Sequence, residues 1–466
     1  MITYETIYVD GSWVRPAGTG WIDVVDPATG KTVGQVPRCT ETDVDTAVAA
    51  AKFAFPSWSG SPAVERIEIL ERLIQLVRKN ADELAHLVSI EMGAPHEFAL
   101  SEHVGTPIAM IENIVDILAT TKAEERIGNS LIVREPIGVV AAITPWNYPL
   151  YQLVAKAIPA IAAGCTVVVK PAELAPLSTY RFTELVAEAG LPNGVFNLVP
   201  GQGSVVGEAL SSHRDVDMVS FTGSTRAGSR VAAVAAQTIK RVALELGGKS
   251  ASVILAGADL SRAVEHTVEN CMANTGQSCS AWTRLIVPRD SASTVEQLAE
   301  AAASRLDGTL GPVASRSQYD QVQQYIQVGL DEKARLVTGG LGNPGGGDDN
   351  NHPRVTVFSD VTPDMRIAQE EIFGPVLVIQ TYDTVDEAAD LANGTPYGLH
   401  GAVWAATDED GLAFARRLRT GQVDVNGGDF NVAAPFGGYK QSGTGRELGR
   451  IGLEEFYETK AIQLPQ

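Results

Sequence analysis

The feature that most restricts the fold of this chain is an alternation of short apolar runs with Ala-rich helical segments. Gly138 to Ile143 and Thr166 to Val169 are apolar runs of strand length, and an Ala-rich helical segment separates them. Further apolar runs follow at Phe196 to Val199 and Met218 to Phe221. Strands that alternate with helices at this spacing predict a parallel sheet of the doubly wound α/β type.

A second alternating region begins near Gly247-Gly248. The chain has 466 residues, which is too long for one ordinary core. We therefore predict two α/β domains that meet near these glycines. The apolar runs of the second region are Ala251 to Leu255, Arg284 to Val287, Val376 to Gln380 and Ala402 to Ala405.

Charge and composition exclude several classes of protein. The chain has 36 basic and 56 acidic residues, a net charge of −20, and shows no basic cluster, so no nucleic-acid partner is expected. Its four cysteines form no CxxC pair and its seven histidines no HExxH pattern, so we expect neither a disulfide framework nor a metal site. No signal-peptide pattern or apolar run of about 20 residues is present, which predicts a cytoplasmic protein without a membrane segment.

Cys279 is the first candidate for chemistry. It ends the sequence Gly276-Gln277-Ser278-Cys279, a context more typical of an exposed tight turn than of a core. A cysteine in an α/β protein is usually a small buried hydrophobe, and that alternative stays open for these residues alone. A free thiol with a pKa of about 8.5 is only slightly ionised at neutral pH, so a nucleophile here would need activation.

Glu245 and Asn147 are candidates for a base and an oxyanion donor. Glu245 interrupts an apolar strand, where an unpaired carboxylate is costly, and two glycines follow it. The alternative is a glutamate on the polar face of an edge strand. Asn147 follows a strand and precedes a helix, so its amide could stabilise an oxyanion or simply cap the helix.

Two further segments have the character of nucleotide contacts. Phe221-Thr222-Gly223-Ser224 runs from a strand into a helix, where backbone N–H groups can face a phosphate. Lys170 and Glu173 lie beyond a strand end, where ribose hydroxyls are commonly bound in open α/β sheets. Each segment alone is equally compatible with an ordinary loop.

Taken together, these segments resemble the aldehyde dehydrogenase superfamily over essentially the whole chain. The motifs TPWNYP, KPAE, FTGS, ELGGK, GQSC, EIFGPV, APFGG and KQSG occur in the order of that family. The resemblance implies an aldehyde dehydrogenase-like α/β fold with two doubly wound domains and a small oligomerisation β extension. It places the coenzyme-binding domain at residues 1–117 and 137–247, the catalytic domain at 248–441, and the extension with the C-terminal segment at 118–136 and 442–466.

The resemblance also implies catalytic roles. Cys279 matches the nucleophile, Glu245 the general base, and Asn147 the oxyanion donor beside the backbone N–H of Cys279. Lys156 and Glu447 match residues that relay the proton lost by the base. The implied reaction is NAD(P)-dependent oxidation of an aldehyde to the acid through a thiohemiacetal and a thioester, which water activated by Glu245 hydrolyses.

The expected cofactor is NAD, with NADP as an alternative, because the charge of Glu173 should repel a 2′-phosphate. No metal is implied. The residues that match coenzyme contacts of the family are Trp146, Lys170, Glu173, Phe221, Gly223, Ser224, Glu371 and Phe373.

Two other functions remain as alternatives. CoA-acylating relatives pass their thioester to CoA, but they characteristically lack the glutamate that is present here as Glu245. A catalytically silent relative would act as a binding protein, but it should have lost Cys279, Glu245 or Asn147. The presence of all three residues favours the hydrolytic dehydrogenase.

Positions that line the substrate tunnel in relatives suggest a medium to bulky, or aromatic, aldehyde. These positions on the helix after Asn147 are Tyr151, Gln152 and Ala155, of which Ala155 should open space and Gln152 should add polarity. We expect Phe430 to contribute an aromatic wall from the other side. The large ring of Trp282, just after Cys279, would narrow or reorient a nearby wall.

The resemblance further predicts a homodimer or homotetramer. Ser130 to Arg134 and Thr459 to Leu464 are short apolar strands at positions that pair across subunits in relatives. Unpaired, they would be exposed edges. The alternative is that both strands pair within one subunit.

Overall fold

The computed structural model describes residues 1–122, 124–346 and 351–465. Residues 123 and 466 of the predicted extension and C-terminal segment, and residues 347–350 of the predicted catalytic domain, lie outside the described residues. The strands are β1 Ile2–Thr3, β2 Ile7–Val9, β3 Ser12–Val14, β4 Gly20–Val25, β5 Thr32–Arg38, β6 Glu124–Ile127, β7 Ser130–Pro136, β8 Val139–Ile143, β9 Thr166–Lys170, β10 Phe196–Leu198, β11 Met218–Thr222, β12 Arg241–Glu245, β13 Ala251–Ile254, β14 Arg284–Pro288, β15 Arg335–Thr338, β16 Thr356–Ser359, β17 Val376–Tyr382, β18 Gly401–Trp404, β19 Asp424–Val425, β20 Gly443–Thr444 and β21 Tyr457–Gln463.

Helices lie between most of these strands. A π-helical segment, Ala99–Gly105, directly precedes the fifth α-helix. The α-helices are α1 Glu41–Ser59, α2 Ala63–Lys79, α3 Ala81–Met92, α4 His96–Phe98, α5 Thr106–Thr120, α6 Pro149–Ala163, α7 Leu177–Glu188, α8 Glu208–Ser212, α9 Thr225–Ala235, α10 Leu260–Met272, α11 Ala292–Leu306, α12 Arg316–Asp331, α13 Arg366–Gln369, α14 Val385–Asn393, α15 Asp408–Ala415 and α16 Gly449–Glu454.

The first large sheet has eight strands in the order β20-β12-β11-β8-β9-β10-β2-β3. Strands β12, β11, β8, β9 and β10 run parallel, whereas β20 and β2 pair antiparallel at the two ends of this parallel set. The predicted apolar runs form β8 to β11 with ends within two residues of expectation. The parallel α/β sheet predicted from the alternation is confirmed.

The position of strand β9 inside the sheet explains why its sequence is a continuous apolar run. Val167 and Val169 face a cluster that includes α6, whereas Val168 faces Val44 and Val48 of α1 on the other side of the sheet. Successive side chains of a strand point to opposite faces, so a strand covered by helices on both faces needs apolar residues at every position.

The second large sheet has seven strands in the order β15-β16-β17-β14-β13-β18-β19, and all but β15 pair parallel. Strand β12 ends the parallel part of the first sheet at Glu245, and β13 begins the second sheet at Ala251. Gly247 and Gly248 lie in this short connection, so the two α/β sheets meet where the sequence predicts. The exact domain limits remain a prediction.

The two strands that were predicted to pair across subunits pair with each other within the chain. Strand β21 pairs antiparallel with β7, from Tyr457 opposite Pro136 to Gln463 opposite Ser130, and β6 completes a three-stranded sheet. The alternative of pairing within one subunit therefore describes the contact between these two strands, and pairing with another subunit stays a prediction. The outer edges of this sheet belong to β6 and β21. A further small sheet, β1-β5-β4, was not predicted as a separate unit.

The part of the chain that the structure describes lacks two features of other classes of protein, a membrane-spanning helix and a cluster of metal ligands. Within residues 1–122, 124–346 and 351–465, no helix is long and apolar enough to cross a membrane. The same residues contain no cluster of three or more His, Cys, Asp or Glu side chains that could hold a metal ion.

Candidate active site

Cys279 follows an unusual turn after α10. Asn274, Thr275 and Gly276 have left-handed backbone conformations, with φ angles of 51°, 58° and 72°. A Cβ atom at Gly276 would lie 2.2 Å from the carbonyl carbon of Gly374, so a side chain cannot be placed there without moving the backbone. These residues turn the chain away from the helix, and Cys279 lies at the end of the reversal.

The exposure of Cys279 differs from that of the other cysteines. Cys39, Cys165 and Cys271 are buried, whereas Cys279 is half-buried. The three buried cysteines behave as small core residues. The position of Cys279 supports the interpretation of a turn rather than a core.

The surroundings of Cys279 favour the neutral form of its thiol. Burial raises its pKa above the ordinary value, and the charges of Glu371, Glu245 and Glu447 raise it further by repelling a thiolate. A thiol reacts as a nucleophile through its thiolate, so a reaction at Cys279 would require removal of a proton or a change in the surrounding charges.

Asn147 contacts the turn that carries Cys279. Its side-chain Nδ2 donates a hydrogen bond to the carbonyl oxygen of Gln277 at 3.0 Å, and Asn147 is buried. The N-cap of α6 is Tyr148 rather than Asn147, so the helix-cap alternative is wrong. The sequence-predicted donor and nucleophile, which are far apart along the chain, meet in one site.

Glu245 lies at the end of β12 and is almost completely buried. Its Oε2 has no hydrogen-bond partner among the described residues. Burial raises the pKa of this carboxyl well above its ordinary value; the charge of Glu447 raises it further, while Lys156 and Arg446 oppose the shift. A buried carboxyl with a raised pKa can accept a proton near neutral pH, as a general base must.

Lys156 and Glu447 form a buried ion pair. The Nζ of Lys156 donates to Oε1 of Glu447 at 2.5 Å, to Oγ1 of Thr222 at 2.6 Å and to Oε1 of Gln152 at 2.9 Å. Thr222 also donates to Gln152 at 3.0 Å. Lys156 and Glu447 thus lie in direct contact and influence Glu245 through their charges.

A cleft lies at the carboxyl ends of the parallel strands β8, β9 and β11, where open α/β sheets bind nucleotides. Its volume is 1120 Å³, enough for a large organic ligand. Six of the eight predicted coenzyme contacts line it. They are Trp146, Lys170, Glu173, Phe221, Gly223 and Ser224.

Lys170 and Glu173 lie on one side of this cleft. The Nζ of Lys170 donates to the carbonyl oxygen of Pro171 at 2.7 Å, and burial lowers its pKa to about 8 while the charge of Glu173 opposes the shift. Glu173 accepts a hydrogen bond from the backbone N–H of Gly203 at 3.0 Å through Oε1. A carboxylate fixed in this way can accept hydrogen bonds from ligand hydroxyls.

Ser224 is the N-cap of α9, which begins at the edge of the cleft. Its Oγ accepts from the backbone N–H of Ala227 at 3.3 Å. The N-terminus of a helix carries partial positive charge and free N–H groups, which favour an anion such as a pyrophosphate. The N–H of Gly223 donates to the carbonyl oxygen of Glu245 at 3.1 Å, and this bond connects the start of α9 to the end of β12.

Glu371 and Phe373 do not line the cleft, and the charge of Glu371 acts on Cys279. The ring of Phe373 meets that of Trp146 edge to face, with centroids 5.5 Å apart. Glu371 accepts from the N–H of Gly248 at 2.9 Å, and burial raises its pKa to about 7. A Cβ at Gly248 would lie 2.3 Å from the carbonyl oxygen of Cys279, so a glycine is required at this approach.

Four residues make contacts in the site that the sequence did not predict. Gln152 and Thr222 bind Lys156, while Asn274 and Gln277 connect Asn147 to the turn that carries Cys279. Only the contact of Gln152 with Lys156 had a detectable signal, because Gln152 precedes Lys156 by four residues on one helix and so shares its face.

The structure describes the surroundings of three residues that were predicted to shape the substrate tunnel. Gln152 is buried, and its Oε1 accepts from Lys156 and Thr222. Trp282 is buried in the core of the second sheet. Ala155 lines a cavity of 10 Å³. The expectations about their effect on a substrate stay predictions.

The other two tunnel positions stay predictions. Phe430 is exposed and its ring meets Phe436 at 6.3 Å. Tyr151 is half-buried and packs edge to face against Tyr148, at 6.2 Å.

A two-domain α/β fold that combines a nucleotide-type cleft with a half-buried thiol is typical of a class of nucleotide-dependent oxidoreductases. The sequence profile of the aldehyde dehydrogenase family matches residues 13–462. The chain belongs to the aldehyde dehydrogenase family, whose members oxidise aldehydes.

Individual relatives resemble the chain over nearly its whole length. It is 47% identical over 471 residues to 3-succinoylsemialdehyde-pyridine dehydrogenase of a Pseudomonas species, with 99% of each protein covered. A variant of aldehyde dehydrogenase C from Pseudomonas syringae, in complex with NAD+ and octanal, is 48% identical with a TM-score of 0.97, covering 98% of this chain and 96% of that one. An aldehyde dehydrogenase of Mycobacterium tuberculosis, complexed with NAD+, is 39% identical with a TM-score of 0.97, covering 100% and 99%.

Proposed function

We propose that this protein oxidises an aldehyde to the carboxylic acid with NAD, through covalent intermediates on Cys279, in the cytoplasm. The observation that carries the proposal is the hydrogen bond from Asn147 to the carbonyl oxygen of Gln277, two residues before Cys279. It joins an amide donor to the turn that carries a half-buried thiol, and the preceding residue, Trp146, lines the nucleotide-type cleft. A reducing compartment suits the four free cysteines, since catalysis requires a free thiol.

The residues of the cleft fit NAD. Its volume, the N-terminus of α9 and the carboxylate of Glu173 provide space, an anion site and an acceptor for ribose hydroxyls. The edge-to-face pair of Trp146 and Phe373 offers an aromatic surface at the other end. Solved relatives that are 48% and 39% identical contain NAD+. When bound, NAD supplies the acceptor for the hydride of the aldehyde.

The first half of the reaction forms and oxidises a bond at Cys279. The thiolate adds to the carbonyl carbon, and the resulting oxyanion accepts hydrogen bonds from Nδ2 of Asn147 and the backbone N–H of Cys279. Departure of a hydride from this carbon leaves a thioester. The proton of the thiol must leave first, because its pKa is raised by burial and nearby carboxylates.

The second half hydrolyses the thioester. Glu245 removes a proton from a water molecule, which attacks the thioester carbon and releases the acid and the thiolate of Cys279. Overall, an aldehyde, NAD+ and water give a carboxylic acid, NADH and a proton. The contact of Lys156 with Glu447 offers a path for the proton that Glu245 gains, through the same buried charges that act on its pKa.

The test is formation of NADH from purified protein and an aldehyde without CoA, with the acid identified by mass spectrometry. We expect octanal and benzaldehyde to have higher kcat/KM than propanal, because the rings of Tyr148 and Tyr151 lie near the thiol. Burial of each methylene group of the aldehyde contributes about 0.8 kcal/mol to its binding free energy. A CoA-dependent reaction, or no reaction with any aldehyde, would contradict the proposal.

We predict a preference for NAD over NADP. The negative charge of Glu173 should repel a 2′-phosphate. Replacing Glu173 with glutamine should therefore lower the ratio of kcat/KM for NAD to kcat/KM for NADP by about tenfold. Glu208→Gln is a matched control, because Glu208 also lines the cleft but forms a salt bridge with Arg230. A parent enzyme with higher kcat/KM for NADP would contradict the assignment of Glu173.

We also propose a closed homo-oligomer, a dimer or a tetramer. The three-stranded sheet leaves β6 and β21 as outer edges, and Ile127 and Ile462 are exposed on them. Exposed apolar edges of this kind favour association with another copy of the chain. Because these strands already pair within the chain, a partner subunit would extend the sheet or cover its face.

Light scattering should therefore find more than one subunit at micromolar concentration. Removing residues from Thr459 onward should lower the oligomer mass and increase the binding of a hydrophobic dye. Ile462→Asp is a milder variant that should also lower the oligomer mass. Leu412→Asp, at an exposed apolar position of α15, is a control that should leave the oligomer mass unchanged. A monomeric parent protein would contradict the proposal.

A further inference from the structure

The side chain of Asn274 joins the turn that carries Cys279 to the segment that carries Asn147. Its Nδ2 donates to the carbonyl oxygen of Asn147 at 2.9 Å and to that of Gln277 at 3.4 Å. The carbonyl oxygen of Gln277 also accepts from the Nδ2 of Asn147 at 3.0 Å. Asn147, Asn274 and Gln277 therefore form a compact set of hydrogen bonds immediately before Cys279.

This set is anchored from the opposite side. The Nε2 of Gln277 donates to the carbonyl oxygen of Asn274 at 3.0 Å, and Oε1 of Gln277 accepts from the N–H of Ala314 at 2.8 Å. Asn147, Asn274 and Gln277 are all buried. Buried polar groups that are hydrogen-bonded have little freedom to rotate. Asn274 therefore holds the backbone of Asn147 against the backbone of Gln277, the same carbonyl group that accepts from the Asn147 amide.

The orientation of the Asn147 amide has a chemical consequence. A side-chain amide has two N–H groups, and the carbonyl oxygen of Gln277 accepts one of them. The other is then held in a fixed direction, and donors stabilise an oxyanion most when they are preorganised. We propose that Asn274 is a positioning residue that orients Asn147 toward the oxyanion formed at Cys279, an inference that rests on the proposed function.

Asn274→Gly tests this proposal without straining the backbone. Asn274 has a left-handed φ of 51°, which glycine adopts freely, so the change removes the amide and leaves the turn accessible. We expect kcat to fall roughly tenfold to a hundredfold, while the KM for NAD stays within about twofold. Asn274→Asp, which keeps the shape and loses the donor, should show the same fall and serves if the glycine variant does not fold.

Thr275→Gly is the matched control. Thr275 is also left-handed, at φ 58°, and its Oγ1 donates to the carbonyl oxygen of Gly311, so this change loosens the same turn without touching Asn147. We expect its kcat to stay within about threefold of the parent. A fall equal to that of Asn274→Gly would mean that turn flexibility alone explains the loss, which would overturn the inference.

A double-mutant cycle with Asn147→Ala separates positioning from a general structural role. If Asn274 acts through Asn147, adding Asn274→Gly to Asn147→Ala should cause no further fall in kcat. Alkylation of Cys279 by iodoacetamide forms no oxyanion and should proceed at the parent rate in Asn274→Gly. If Asn274→Gly lowers kcat just as much in the Asn147→Ala background, the inference is overturned and the proposed function stands. If the parent protein oxidises no aldehyde, both the proposed function and the inference are overturned.

Discussion

Replacing Cys279 with serine is expected to lower aldehyde oxidation by at least about a thousandfold, because a hydroxyl is far less ionised than a thiol. The loss should appear in kcat and in any burst of NADH alike, since the first bond to the substrate no longer forms. Binding of NAD should persist, because the cleft is lined by other residues. Steady-state and stopped-flow measurements of NADH, with calorimetric titration of NAD, test these outcomes.

Cys271→Ser is the control for this experiment. Cys271 is a buried cysteine only eight residues away, and its Sγ faces the carbonyl oxygen of Val376 at 3.7 Å, a contact that a serine hydroxyl can also make. Its turnover should remain close to that of the parent. Near-normal turnover of Cys279→Ser would remove this thiol from the mechanism.

The large sheets were predictable because their strands are covered on both faces. Thr166 to Val169 is a continuous apolar run, and the structure places Val167 and Val168 against different helical layers. Such a run admits few other placements in a chain that also contains Ala-rich helices. The pairing of β7 with β21 was not predictable, because a half-exposed strand pattern does not specify which partner it meets.

The candidate site residues could be selected from the sequence by their chemistry, but their connections could not be predicted. Cys279, Glu245 and Asn147 stood out because thiol, carboxylate and amide groups occur in unusual local contexts. The role proposed for Asn274 depends on a contact with Asn147 across 127 residues, which only the packing of the two sheets creates. The burial of Trp282 was not predictable for the same reason, since its position near Cys279 in the sequence does not determine which side of the chain faces the core.

Replacing Glu245 with glutamine is expected to slow hydrolysis of the thioester far more than its formation. Glutamine keeps the shape of the side chain but cannot take a proton from water, which should reduce the hydrolysis rate by roughly a hundredfold to ten-thousandfold. One equivalent of NADH per active site should then appear in a burst, followed by a slow phase. Mass spectrometry of acid-quenched protein should find the acyl group on the peptide that contains Cys279.

The pH dependence provides an independent test of Glu245 as the base. Burial raises its pKa, so the carboxylate that accepts the proton is present only above that raised value, and kcat of the parent should fall as the pH is lowered through it. The slow phase of Glu245→Gln should lack this fall. Glu370→Gln is a control, because Glu370 is bound to Arg366 and Tyr325 and should leave the profile unchanged. If Glu245→Gln slows formation and hydrolysis of the thioester equally, and no acyl group is trapped, Glu245 is excluded as the hydrolytic base. A base that is needed only after hydride loss cannot limit the steps before it.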